Sequence, residues 1–169
     1  LQLKVTPLEE WMIRLTAPDT YDRLSELAAA HRPVLAERSG VASPKLFLVS
    51  FFSDEAGVGY DPEDVHLVSR GRRYRPLAIR PVTAGWGTQR LPQRETRMAV
   101  YAFPPAVDMD LGMMLEYGGV RNRQWDGILQ VLQSEHARVR ARAGTSGRAG
   151  EGRRRGEAGA SPAPQPSRS

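Results

Sequence analysis

The stretch from Arg94 to Tyr117 constrains this chain most. It reads as two strands, Arg94–Phe103 and Leu111–Tyr117, with Pro104 and Pro105 breaking the chain between them. Gly118 and Gly119 follow and are expected to end the sheet. Several short strands, closely spaced turn signals and no helix between consecutive strands favour antiparallel layers over a parallel sheet. The expected architecture is therefore mainly β, with this strand pair at the centre of a β-sandwich.

Lys45–Phe52 is a third strand, and it sets a second condition. Phe47, Val49 and Phe51 point one way, while Leu46, Leu48 and Phe52 point the other. A strand apolar on both sides has to be covered on both faces. The opposite sheet can cover one. The ends of the chain must cover the other, and both ends carry helical patterns.

Residues 1–40 read as an N-terminal helical segment packing on the sheets. Thr6-Pro7-Leu8-Glu9 has the form of a capping box, with Leu8, Trp11, Met12 and Leu15 following at helical spacing. Asp19 then reads as the cap of a second helix, Pro33 as a point that kinks or divides it and Gly40 as its end. Near the other end, residues 124–142 form an amphipathic pattern of Trp125, Ile128, Leu129, Leu132 and Val139, which Gly144 is expected to close. Residues 143–169 contain almost no large apolar side chain and read as a disordered basic tail. Between the helical ends, residues 45–120 hold the strands. Val65–Ser69 and Arg73–Ile79 form a hairpin about Arg70-Gly71, with Pro76 marking an edge or bulge.

Charge and composition narrow the chemistry. The 169 residues carry a net charge of +5. Five arginines against two glutamates lie after Arg142, which leaves 19 basic against 17 acidic residues in 1–142. Much of the basicity thus belongs to the tail, so the charge argues only weakly for a nucleic-acid-binding body. There is no cysteine, which excludes disulfides, thiolate metal sites and cysteine nucleophiles. No apolar run reaches the roughly 20 residues of a membrane span. The chain begins at Leu1 rather than Met, for which a cleaved signal peptide is one explanation among others.

The order of elements resembles small immunoglobulin-like β-sandwich domains of bacterial secreted proteins and lipoproteins. Gly71, Tyr74, Pro76, Phe103, Pro104, Leu115 and Tyr117 carry the likeness, over roughly residues 64–118. It implies an antiparallel immunoglobulin-like β-sandwich flanked by N- and C-terminal helices. It also implies an extracytoplasmic setting, in the periplasm, the outer envelope or outside the cell. It transfers no catalytic residue.

Candidate contacts are few. Arg70, Arg72, Arg73 and Arg75 surround Tyr74, and such a turn can grip phosphate while the ring stacks on a base. The same charges also protect an edge strand from mispairing, and that reading is preferred. Trp86, between Gly85 and Gly87, is either a partner contact or a plug over a sheet edge. Asp54, Glu55, Asp61, Glu63 and Asp64 lack the calcium-loop spacing. His31, His66 and His136 lie in separate elements without metal-ligand spacing. No nucleophile elbow or phosphate loop occurs. The sequence therefore points to a non-enzymatic domain without cofactor or metal. Its role is structural or protein-binding, with another protein or the cell envelope as partner. The alternative is an anionic polymer or nucleic acid held by Arg70–Arg75 and the tail.

Overall fold

A computed structural model describes residues 1–156. The protein is mainly antiparallel β-structure with a few helices. Strand β1 (Gln2–Pro7) leads into a single helical turn, α1 (Glu10–Ile13), and then the long helix α2 (Pro18–Ser39). The strands β2 (Lys45–Phe52), β3 (Val58–Gly59), β4 (His66–Ser69), β5 (Arg72–Tyr74) and β6 (Ala78–Pro81) follow. Next come β7 (Arg90–Leu91), β8 (Thr96–Phe103), β9 (Met113–Tyr117) and β10 (Val120–Asn122). Helix α3 (Trp125–Gly156) ends the described chain. The chain divides into two units, Leu1–Leu132 and Gln133–Ser169.

Within the first unit, two four-stranded sheets form, in the orders β1-β2-β8-β6 and β10-β9-β4-β5. Every strand pairing is antiparallel. A third, two-stranded ladder joins β3 to β7. Both large sheets contribute to one apolar cluster. Phe47, Val49, Phe51, Tyr101 and Phe103 come from the first sheet, and Leu67 and Met113 from the second. The alternation read in β2 holds. Its other side, Leu46 with Leu48 beside it, meets Leu24, Ala28 and Leu35 of α2 in a second cluster that also includes Val100 and Ala102 of β8. One strand pair, β2–β8, is thus apolar on both faces because a sheet lies on one side and a helix on the other.

Several expectations are corrected. Residues 2–7 are a strand, not the start of a helix. Leu3 and Val5 alternate toward the core with exposed Gln2 and Lys4, and β1 pairs with β2 from Gln2↔Phe52 to Pro7↔Phe47. The two-residue period outweighs the local capping signal, because pairing satisfies a whole row of amides and a cap satisfies one or two. The first helix is only one turn, capped at Glu9 without a side-chain bond. Helix α2 is capped at Ala17 with Pro18 leading it, so Asp19 lies in its first turn rather than at its cap. It is not divided at Pro33 but is one helix from Pro18 to Ser39. The lost amide bond there is offset by apolar anchors on both sides, Leu24 and Ala28 before it and Leu35 after.

The two strands flanking Pro104 are each an inner strand, but of different sheets. Arg94–Phe103 and Leu111–Tyr117 do not pair: β8 lies in the first sheet and β9 in the second. The segment between them, with Pro104 and Pro105, passes from one layer to the other. The expected strand Arg73–Ile79 is likewise divided around Pro76, with β5 in the second sheet and β6 in the first. Proline lacks the amide that would continue a ladder, which explains both breaks. Gly118 and Gly119 do not end the sheet. They take φ of 56° and 76° and turn the chain into β10. Helix α3 continues past Gly144 to Gly156, so the basic tail is helical as far as it is described, and residues 157–169 lie outside the described residues.

Candidate binding face

Two hairpins build the outer face of the second sheet. The β4–β5 turn places Arg70 at φ 50° and Gly71 at φ 73°. Two consecutive left-handed residues give the tight turn whose twist matches its flanking strands, and glycine takes the second position without a Cβ penalty. The turn fixes the register Val68↔Arg73, and β9 adds Val68↔Met114 and His66↔Glu116. On the far side, Glu116 lies opposite Arg121. Side chains two apart on a strand share a face. His66, Val68, Arg73, Met114, Glu116 and Arg121 therefore share one, opposite the face that carries Leu67 and Leu115 to the core.

Glu116 organises this face. It is 7% exposed, yet it is flanked by two arginines that are largely in solvent. Arg73 Nε lies 2.7 Å from Oε1, and Arg121 Nε lies 2.8 Å from Oε2. Arg73 reaches across β4 to do this and brings Nη2 to 3.2 Å from His66 Nδ1. The same nitrogen of His66 lies 2.9 Å from the Asp64 carbonyl. The carbonyl can only accept and the guanidinium can only donate, so Nδ1 serves one of the two at a time, according to its tautomer. The hydrogen bond from Arg121, with the charges of both arginines, holds the Glu116 carboxyl below its ordinary range despite its burial. Two guanidiniums on one carboxylate leave an excess of positive charge. Arg75 and Arg123 extend it, both exposed just beyond the ends of β5 and β10. Arg75 and His66 also border an open cleft of about 580 Å³ with Glu63 and Pro76.

The six residues singled out in the sequence have different fates. Arg70 is paired with Asp108 and lines a separate polar cleft of about 300 Å³ that also holds the Glu9–Lys45 ion pair. Arg72 and Arg75 are exposed. Arg73 is the arm over Glu116. Tyr74 is half-buried and packs against the main core, so its ring is not free to stack on a base.

Trp86 takes the core role. It is 8% exposed and packs edge-on against Tyr101, ring centroids 6.1 Å apart, with Phe51 and Tyr60 also within 6 Å. Its loop is pinned from both sides. Tyr60 donates its hydroxyl to the Trp86 carbonyl at 2.6 Å, and the Arg97 guanidinium lies 3.0 Å from where a Cβ on Gly85 would stand.

The remaining polar groups near this nexus serve the chain itself. Tyr101 donates to the Pro62 carbonyl at 2.6 Å, and the Tyr117 hydroxyl accepts from the Asp61 amide at 3.0 Å. Asp61 caps the short turn Pro62–Asp64 by accepting from Glu63, and Asp64 accepts from the Gly118 amide. Burial pushes the Tyr101 hydroxyl far above its ordinary range, assisted by neighbouring tyrosines and acids. Among the described residues, no group of three or more His, Asp or Glu side chains converges as metal ligands. No helix among them is long and apolar enough to cross a membrane. His66, Glu116 and Arg121 did not enter the sequence reading as a site. Val68 and Met114 alternate with His66 and Glu116 on β4 and β9, so no run of polar residues marks the face, and β10, which carries Arg121, was not foreseen.

No family model, curated protein or solved structure matches the chain.

Proposed function

We propose that this chain is a non-enzymatic, extracytoplasmic binding domain of immunoglobulin-like β-sandwich type. In this reading, the outer face of β10-β9-β4-β5 takes a protein partner with an acidic surface. The observation that carries the proposal is the difference between the two outer faces. Helix α2 covers that of the first sheet, while that of the second presents the Arg73–Glu116–Arg121 bridge in solvent with Arg75 and Arg123 beyond it. The strand orders support the type. β1-β2-β8-β6 corresponds to the A-B-E-D sheet of such domains, and β10-β9-β4 to the G-F-C sheet with one added edge strand, β5. Excess positive charge on a rigid sheet steers an acidic partner toward the face and discriminates against basic ones. The extracytoplasmic setting rests on the resemblance carried by Gly71, Tyr74, Pro76 and Phe103.

The test uses the intact chain immobilised and exposed to envelope and periplasmic fractions of its source cells. The reading predicts retention of a protein that elutes as salt is raised. Arg75→Glu/Arg123→Glu abolishes that retention while the melting temperature holds. Equal retention by the variant overturns the face. Tight binding of heparin at physiological salt, with no protein retained, moves the reading to anionic polymers. Turnover in a substrate panel that depends on a residue of 1–132 overturns the non-enzymatic reading.

A further inference from the structure

The polar cleft beside Arg70 is built where strand ends of both sheets meet. β1 and β4 finish there, and β2 begins there opposite the last residue of β8, Lys45↔Phe103. β9 starts there too, with Met113 opposite Ser69. The crossing segment 104–112 is fixed by its own alternation. Val107 and Met109 are buried in the main core, which leaves Asp108 and Asp110 outside it. The Ser69 hydroxyl accepts from the Asp108 amide at 3.0 Å. The Asp108 carboxylate accepts from the Asp110 amide at 3.0 Å and pairs with Arg70. A second ion pair, Glu9 with Lys45 at 3.3 Å, ties the segment before α1 to the start of β2. Leu8 holds Glu9 in place, since its side chain is buried and its amide donates to the Leu46 carbonyl at 2.9 Å. Trp11 is half-buried, packs against the main core and also lines the cleft. The space of about 300 Å³ falls at the small end of the range for ligand clefts.

We infer that this cleft binds a neutral saccharide, a hexopyranose unit of a β-linked sugar. Each ion pair sets a fixed donor beside a fixed acceptor. A sugar hydroxyl both donates and accepts, so two neighbouring hydroxyls match such a pair, one giving to the carboxylate and the other taking from the cation. Hydrogen bonds to charged groups are stronger than neutral ones, and a neutral ligand gains them without stripping water from a charge of its own. A charged ligand has to compete with Asp108 for Arg70, or with Glu9 for Lys45. A metal ion finds no seat, since among the described residues no three carboxylates converge as ligands. Trp11 supplies the remaining element, an apolar surface for the C–H face of the sugar ring.

The probes are cellobiose, lactose and N,N′-diacetylchitobiose, with glycine and choline as charged counterparts. Binding is followed by the indole N–H resonances of the intact ¹⁵N-labelled chain. The inference predicts saturable movement of the Trp11 signal with at least one saccharide at millimolar concentration, while those of Trp86 and Trp125 hold. Glycine and choline leave all three in place. Two double variants test the polar walls. Arg70→Gln/Asp108→Asn keeps an oxygen for the Asp110 amide, and Glu9→Gln/Lys45→Met keeps the shape of the second pair. Each removes charge-assisted bonds and weakens the saccharide about tenfold. The melting temperature nearly holds, because both pairs are partly in solvent. Three outcomes overturn the inference: no saturable movement of Trp11 with any of the saccharides, a response to glycine or choline at lower concentration than to any saccharide, or saccharide binding that neither double variant weakens.

Discussion

Single side chains carry the pH behaviour of this fold. Glu116 has its pKa lowered, first by the hydrogen bond from Arg121 and then by the charges of Arg73 and Arg121. A carboxyl with a depressed folded pKa contributes stability above its unfolded pKa and loses it as pH falls through the folded one. Melting temperature should therefore drop on the acid side of the ordinary glutamate range, and Glu116→Gln should flatten that limb while lowering the plateau. His31 acts at higher pH. Its Nδ1 is buried without a partner, and its pKa is lowered by burial and by the charge of Arg80. The unfolded chain then binds a proton that the folded one refuses, so stability declines as pH falls below about 6.5. His31→Gln should remove that decline in a thermal-melt series between neutral and mildly acidic pH while leaving the Glu116 limb intact. Tyr101→Phe tests the aromatic nexus. It leaves the buried Pro62 carbonyl without its donor and should cost about 1–3 kcal/mol in denaturant unfolding. None of these roles was legible in the sequence. The bridge joins residues on β5, β9 and β10, and the tyrosine bonds reach loops far along the chain. Pairwise geometry of that kind has no local pattern to betray it.

At the scale of elements, the sequence was most legible where a period met no competing signal. Strand β2 shows both of its apolar rows, and the structure places a sheet against one and α2 against the other. Strand β1 was hidden because Thr6-Pro7-Leu8-Glu9 imitates a helix start, and only pairing with β2 reveals its alternation. Strand β10 was hidden because a Gly-Gly pair serves equally as an ending or a turn, and its three residues are all exposed. The glycine turns give a graded test. Gly71 has φ 73° and open space around it, so Gly71→Ala should cost only the left-handed conformation, about 1–2 kcal/mol. Gly85 has φ 74° and the Arg97 guanidinium 3.0 Å from its missing Cβ. Gly85→Ala should cost more than Gly71→Ala, and its effect should appear in the environment of Trp86. Equal losses for the two variants would mean that Arg97 does not brace this loop. Helix α2 is tested by Leu35→Ala. The side chain is fully buried against the first sheet, and its truncation should cost about 2–5 kcal/mol.

For the molecule as a whole, everything functional depends on which strands share a sheet. The sequence showed that two layers of antiparallel strands were needed and that the chain ends had to cover one of them. It did not show that the strands on either side of Pro104 lie in different layers, because a proline pair marks a break without stating where the chain goes next. That division is what leaves β4, β5, β9 and β10 together as a face of their own, with Glu116 and its two arginines on it. The chain has no native cysteine, so paired cysteines introduced into it report proximity without interference. Three double variants, Ser50→Cys/Met98→Cys, Val68→Cys/Met114→Cys and Met98→Cys/Met114→Cys, measured for cross-linking under mild oxidation, decide the matter. The fold predicts closure of the first two, which are directly opposed in β2–β8 and β4–β9, and none of the third. Closure of the third with failure of the first two would place β8 beside β9 and contradict the account.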